Sequence, residues 1–178
     1  LNTATITGST LVGVVSPDVV TINTTGTFAS VDVATGISVT STQTLSGADA
    51  GNYTLTQPTG LSANITQKAL TITSAAASNK VFDNNTSATI TGTLSGIISP
   101  DVVTLNGTGI FASAAIANGI SVTSSATLSG AQAGNYSLTQ PTGLTANITP
   151  NNLSDVSFNS GSSASTNTNI DYTLYQGT

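Results

Sequence analysis

The stretch from Gly47 to Thr66 reads GADAGNYTLTQPTGLSANIT, and Gly130–Thr149 reads GAQAGNYSLTQPTGLTANIT. Residues 10–66 align without a gap with residues 93–149 at a constant offset of 83, and most aligned positions are identical. This internal duplication constrains the fold more than any other feature of the chain. Upstream, ATITG at Ala4–Gly8 matches ATITG at Ala88–Gly92 at an offset of 84, so Ser9 is a one-residue insertion. A full unit runs from about Lys68 to Thr149, and nothing ahead of the first unit's matched residues corresponds to KALTITSAAASNKVFDN at Lys68–Asn84. The period is too long for a solenoid coil and suits a small domain that closes its own core. The expected division is a first β repeat over residues 1–66, lacking its opening strand, and a second β repeat over 67–149. Residues 150–178 are then a tail or the start of a divergent following unit, with NNLSDVSF at Asn151–Phe158 as its opening strand.

Within the unit, apolar and hydroxyl residues alternate. Leu70 and Ile72 alternate with Thr71 and Thr73, Ala88 and Ile90 with Thr89 and Thr91, Ile120 and Val122 with Ser121 and Thr123. Tyr136 and Leu138 alternate with Ser137 and Thr139, and Leu144, Ala146 and Ile148 with Thr145 and Asn147. A period of two with β-branched residues predicts strands with one face inward and one face wet. Ser99-Pro100-Asp101, Gly107, Gly109, Gly119, Gly130 and Gln140-Pro141 supply the turns. No segment of helical length carries a 3.6-residue period. Several short strands per unit predict an all-β fold, as immunoglobulin-like sandwiches or barrels.

Gly51, Asn52 and Tyr53 return unchanged as Gly134, Asn135 and Tyr136. The form D-x-G-x-Y-x-apolar at Asp49–Leu55 fits a tyrosine corner, in which the hydroxyl bonds back to the backbone and Leu55 or Leu138 points into the core. Gly51 and Gly134 would then supply the tight corner. The alternative is a core aromatic with a wet hydroxyl. Gln132 stands where the first copy has Asp49, so a charge at that position is not required.

Composition excludes more than it assigns. The chain has two Lys, no Arg, seven Asp and a net charge of −5, which leaves no basic patch for nucleic acid. Anionic membrane surfaces are disfavoured for the same reason, and no apolar run approaches the ~20 residues that span a bilayer. The opening LNTATITGST lacks the basic start and apolar stretch of a signal peptide. There is no Cys, hence no disulfide framework. With no His, Cys or Glu, the usual catalytic bases and activated nucleophiles are missing, and no catalytic, cofactor-binding or metal-binding residue is assigned. Asp18 and Asp101 are the Asp residues that recur at equivalent positions, and each follows Ser-Pro as a turn residue. The spacing of an acidic calcium loop is absent. An isopeptide crosslink would have to use Lys68 or Lys80 in the second unit. The Asn-x-Ser/Thr triplets and the short T-x-T ranks, the latter resembling ice-binding faces, follow from a chain rich in Asn and Thr.

The series KALTIT, KVFDNNTSATITGTLSGIISPDVVTLNGTG and LSGAQAGNYSLTQPTGLTANITP resembles the YDG/MBG-type tandem repeats of large bacterial surface adhesins, filamentous-haemagglutinin-like or from the giant adhesins of the Bacteroidetes. The resemblance covers about residues 1–150, and the family's Tyr-Asp-Gly appears here as Phe82-Asp83-Asn84. It implies extracellular β-domains on the bacterial cell surface, arranged in tandem as stalk or spacer, with no catalytic residues to transfer. The junction ANITQKALTIT at Ala63–Thr73 has no Gly/Ser linker, which predicts a stiff rod whose partners are neighbouring repeats of the same chain. A first unit without its opening strand and a spare tail read as a piece of a longer protein. Self-association into filaments through strand exchange is the sharper reading. The competing function is a carbohydrate- or host-surface-binding module, for which Tyr172 and Tyr175 are the unpaired aromatic candidates.

Overall fold

A computed structural model describes residues 2–151. The tail expected to open a further unit, with Tyr172 and Tyr175, lies outside the described residues. Fifteen strands follow one another: β1 (Thr3–Thr5), β2 (Thr21–Ile22), β3 (Thr25–Phe28), β4 (Ala34–Ser41), β5 (Leu45–Ser46), β6 (Leu61–Ile65), β7 (Lys68–Ala77), β8 (Lys80–Val81), β9 (Ser87–Ser95), β10 (Thr104–Asn106), β11 (Thr108–Phe111), β12 (Ala117–Ser124), β13 (Thr127–Ser129), β14 (Tyr136–Thr139) and β15 (Leu144–Thr149). Single 3-10 turns at Ala50–Asn52 and Ala133–Asn135 are the helical structure among the described residues. The fold is all-β, as the alternation predicts. Among the described residues no helix is long and apolar enough to cross a membrane.

The duplication is visible in the pairing. In the first repeat the sheet runs β1-β3-β4-β6, and in the second the equivalent strands run β9-β11-β12-β15. Each repeat adds a small two-stranded sheet, β2 with β5 and β10 with β13. In the second repeat the large sheet extends at both ends, to β14-β7-β9 on one side and to β15-β8 on the other. The two outermost pairings, β14 with β7 and β15 with β8, are parallel and the rest antiparallel.

The curl of each large sheet has a local cause. The register of β4 against β6 shifts between Ala34 and Ile37, and that of β12 against β15 shifts between Ala117 and Ile120. At each shift an asparagine from the facing strand accepts the freed amide: Gly36 N–H to Asn64 Oδ1 and Gly119 N–H to Asn147 Oδ1, both 2.8 Å. An unpaired residue in one strand raises local twist and bends the sheet.

The core of the second repeat lies in two clusters. Ile90, Phe111, Val122, Ala146 and Ile148 form one, contributed by β9, β11, β12 and β15. Leu70, Val103 and Tyr136 form the other, with Leu94, Ile97, Leu128 and Leu138 packed around them. These are the inward members of the alternating runs, and the intervening Thr and Ser face water. The first repeat buries Ala4, Ile6 and Ile37, and also a polar side chain, Gln43. Gln43 Nε2 donates to Ser9 Oγ at 2.6 Å, and Gln57 Nε2 donates to the Gln43 carbonyl at 2.7 Å. The second repeat has buried Ala126 in place of Gln43 and no counterpart of Ser9. The inserted serine and the buried glutamine are therefore one change: each satisfies the other, as a buried polar group requires.

Candidate functional site

Two constellations stand at equivalent positions of the repeats. In the second repeat the chain leaves β9 and turns at Ile98–Asp101, where the Asp101 amide donates to the Ile98 carbonyl at 2.8 Å and the Ser99–Pro100 peptide is cis. Tyr136, the first residue of β14, reaches into this turn. Its hydroxyl donates to Asp101 Oδ2 at 2.5 Å and accepts the Ile98 N–H at 3.1 Å. One phenol thus uses both its donor and its acceptor capacity. Gln132 Oε1 accepts the Val102 N–H at 2.9 Å and fixes the far side of the turn.

The first repeat repeats the pattern. Tyr53 Oη donates to Asp18 Oδ2 at 2.7 Å and accepts the Val15 N–H at 3.0 Å, beside a cis Ser16–Pro17 peptide. Asp49 Oδ2 accepts the Val19 N–H at 2.7 Å. Asp49 and Gln132 differ in charge but both supply a carbonyl-type oxygen to one amide, which is why the position tolerates either. Gly130 stays glycine because a Cβ there would lie 2.4 Å from the Val102 carbonyl oxygen.

The tyrosines and the Ser-Pro-Asp turns, separate in sequence, are therefore one feature. Each phenol bonds to backbone, at an amide 38 residues upstream. Gly51 and Gly134 sit in the 3-10 turns that deliver the tyrosine. Leu138 packs against the Leu70 cluster.

The site is poor in chemistry. The bond to the Asp101 carboxylate, with burial behind it, holds the Tyr136 phenol above its ordinary pKa against the pull of the Ile98 amide. At Tyr53 the Val15 amide is the largest influence and favours the phenolate, but the Asp18 carboxylate and burial outweigh it, and that phenol is raised too. A raised phenol keeps its proton at neutral pH and offers neither base nor nucleophile. Among the described residues no three of His, Cys, Asp and Glu come together to hold a metal.

Lys80 gathers the residue types of an amide crosslink. Its Nζ lies 2.6 Å from Asp83 Oδ1, 2.7 Å from Asn85 Oδ1 and 5.8 Å from the centre of the Phe111 ring. Asn85 Nδ2 donates to Asp83 Oδ2 at 2.7 Å. Condensation of Lys with Asn needs a neutral amine and a protonated acid. The Lys80 ammonium instead holds Asp83 below the usual carboxylate range, and Asp83 is 46% exposed. The cluster closes a turn. Within it Asn84 has φ of 60°, a conformation that glycine favours and asparagine tolerates.

The remaining constellation joins the repeats. Only Thr66 and Gln67 separate β6 from β7. Asn135 Oδ1 accepts the Val33 N–H at 2.9 Å, and Asn135 Nδ2 donates to Asp32 Oδ1 at 2.9 Å. Gln67 Nε2 donates to the Gly134 carbonyl at 3.0 Å. The 3-10 turn of the second repeat is thereby held to the Asp32–Val33 loop of the first. Within Gly134-Asn135-Tyr136 the glycine carbonyl accepts Gln67, the asparagine reaches the neighbouring repeat and the tyrosine locks the proline turn, while a Cβ at Gly134 would meet nothing within 4 Å. The sequence marks Asn135 by its recurrence but assigns it no role, because that role depends on the loop the first repeat presents. Its return beside Gly and Tyr in both copies was the available signal.

Among known families, the model of the YDG domain matches residues 2–60 and again residues 66–143. No curated protein and no solved structure matches the chain.

Proposed function

The chain belongs to the YDG domain family, and from that premise we propose that it is a structural repeat module. It serves as stalk or spacer of an extracellular bacterial adhesin or surface filament, and it is not an enzyme. In this reading the units are immunoglobulin-like sandwiches set in tandem as a rod, and neighbouring repeats are one another's partners. The observation that carries it is the junction: a two-residue connection braced by Asn135 and Gln67. A short, hydrogen-bonded joint restricts bending where a Gly/Ser linker would behave as coil. The phenols are consumed in fixing turns and the lysine in closing one, as expected of residues that maintain shape.

Small-angle scattering of the chain, beside its Asn135→Ala variant, tests the mechanical part. The expected result is an elongated particle of well-defined maximum dimension, broadened by the substitution. A broad distribution from the unsubstituted chain, indistinguishable from two beads on a coil, overturns the rod. Surface labelling of the native protein on intact cells tests the location, and labelling only after lysis would overturn it.

A further inference from the structure

The second repeat carries two Asn-Gly pairs, Asn106-Gly107 and Asn118-Gly119, where the first has Asn23-Thr24 and Thr35-Gly36. Such a pair is chemically reactive. The glycine nitrogen can attack the asparagine side-chain carbonyl carbon, because glycine has no Cβ to shield the approach or to restrict the backbone rotation that the attack requires. The fold treats the two pairs differently.

Asn118-Gly119 lies at the register shift of β12 against β15. The Gly119 N–H donates to Asn147 Oδ1 at 2.8 Å. The nitrogen that must lose its proton to attack is held there as a hydrogen-bond donor. Asn106-Gly107 lies where β10 ends and β11 has yet to begin. Among the described residues the Gly107 N–H donates to no backbone carbonyl, although the Gly107 carbonyl accepts the Ile90 N–H at 2.9 Å.

The asparagine side chain is equally unrestrained. The counterpart of Asn106 in the first repeat is tied in place. Asn23 Oδ1 accepts the Thr44 N–H and the Thr25 hydroxyl, both at 3.1 Å, and Asn23 Nδ2 donates to Thr44 Oγ1 at 2.5 Å. Asn106 is exposed and makes no such bonds among the described residues. The Thr108 hydroxyl, which corresponds to that of Thr25, donates to the Ser125 carbonyl at 2.8 Å. The glycine beside Asn106 is imposed by the fold of its repeat, since a Cβ on Gly107 would lie 1.8 Å from the Ile90 carbonyl oxygen.

We propose that Asn106 is a site of spontaneous deamidation, a modification that accumulates in the second repeat as the protein ages. The Gly107 nitrogen bonds to Asn106 Cγ, the bond from Cγ to Nδ2 breaks, and ammonia leaves with the proton from the Gly107 nitrogen. Water then opens the cyclic imide. Opening at Cγ leaves an aspartate, and opening at the main-chain carbonyl leaves an isoaspartyl link that lengthens the backbone by a methylene. Either product adds a negative charge at neutral pH. The longer link also shifts the Gly107 carbonyl away from the amide of Ile90, a residue of the core. The inference holds wherever the protein resides and does not depend on its being a stalk.

The test is ageing of the full 178-residue chain at mildly alkaline pH, folded and in parallel in concentrated guanidinium chloride. Peptide mapping by mass spectrometry then separates asparagine, aspartate and isoaspartate at each position. In denaturant Asn106 and Asn118 should convert at similar rates, because local sequence alone governs them there. In the folded chain Asn106 should run ahead of Asn118 by roughly two- to tenfold, the rate equivalent of one hydrogen bond on the attacking amide, and Asn23 should stay an amide. The comparison needs no substitution, so folding of a variant is not at stake. Conversion of Asn118 as fast as Asn106 in the folded chain overturns the proposal. So does an Asn106 that remains an amide in the fold while the denatured chain converts it.

Discussion

At the scale of single residues, the chain spends its rare side chains on turns. Tyr136 satisfies a backbone amide and a carboxylate with one hydroxyl, and hydrogen bonds to charged groups are the stronger kind. Tyr136→Phe should lower the urea midpoint of the second repeat, because the Ile98 amide loses its partner. Tyr53→Phe should lower that of the first repeat less, since Tyr53 is closer to water. Equal effects in chemical denaturation would show that the locks are not graded by burial. Both phenols carry raised pKa values in the fold. The folded state therefore binds the phenolic proton more tightly than the unfolded chain, whose value is about 10. This contribution is fully present below that pH and is lost as pH rises through the folded values. Thermal melts over an alkaline series should fall in that window, and the double Phe variant should lose the dependence.

At the scale of elements, β7 decides the architecture of its repeat. It pairs with β9 on one side and β14 on the other, and buries Leu70 in a cluster with Val103 and Tyr136. Leu70→Ala should cost about 2–5 kcal/mol in the unfolding of the second repeat, the range for emptying a leucine site in a packed core. Leu55→Ala should cost well under that in the first repeat, because Leu55 already borders a cavity. Denaturant titrations that give the two substitutions equal costs would contradict the view that the first repeat's cluster lacks its centre. The parallel strand pairs β14–β7 and β15–β8 were not legible in the sequence. Alternation marks which residues of a run face inward, but it is the same for parallel and antiparallel neighbours.

At the scale of the whole molecule, near-identical sequences should have unequal stabilities. The second repeat holds two buried clusters, one centred on Phe111 and one on Leu70. The first has an open cavity in place of the second of these. Local opening follows local contact density, so amides of β3 and β4 should exchange with solvent faster than their equivalents in β11 and β12. Equal protection in native-state hydrogen exchange would mean that the inter-repeat bonds of Asn135 to Asp32 and Val33 couple the repeats into one cooperative unit.

What the sequence determined by itself was whatever depends on local periodicity and on comparison of the chain with itself. The duplication, the β class, the inward faces of Leu70, Ile90, Val122 and Ile148, and the turn at Ser99-Pro100-Asp101 were all legible from alternation and turn chemistry. The union of Tyr136 with Asp101 was not, because side chains 35 residues apart share no local signal. Nor was the role of Asn135, which depends on the loop that the preceding repeat presents. The clearest division lies between Tyr53-Thr54-Leu55-Thr56 and Tyr136-Ser137-Leu138-Thr139. By pattern both are strands, yet only the second is one. A strand is a relation between two backbones, and its hydrogen bonds need a partner. Alternation supplies the capacity in both places, but it becomes a strand at Tyr136–Thr139 because the tertiary fold lays Lys68–Thr71 of β7 beside it.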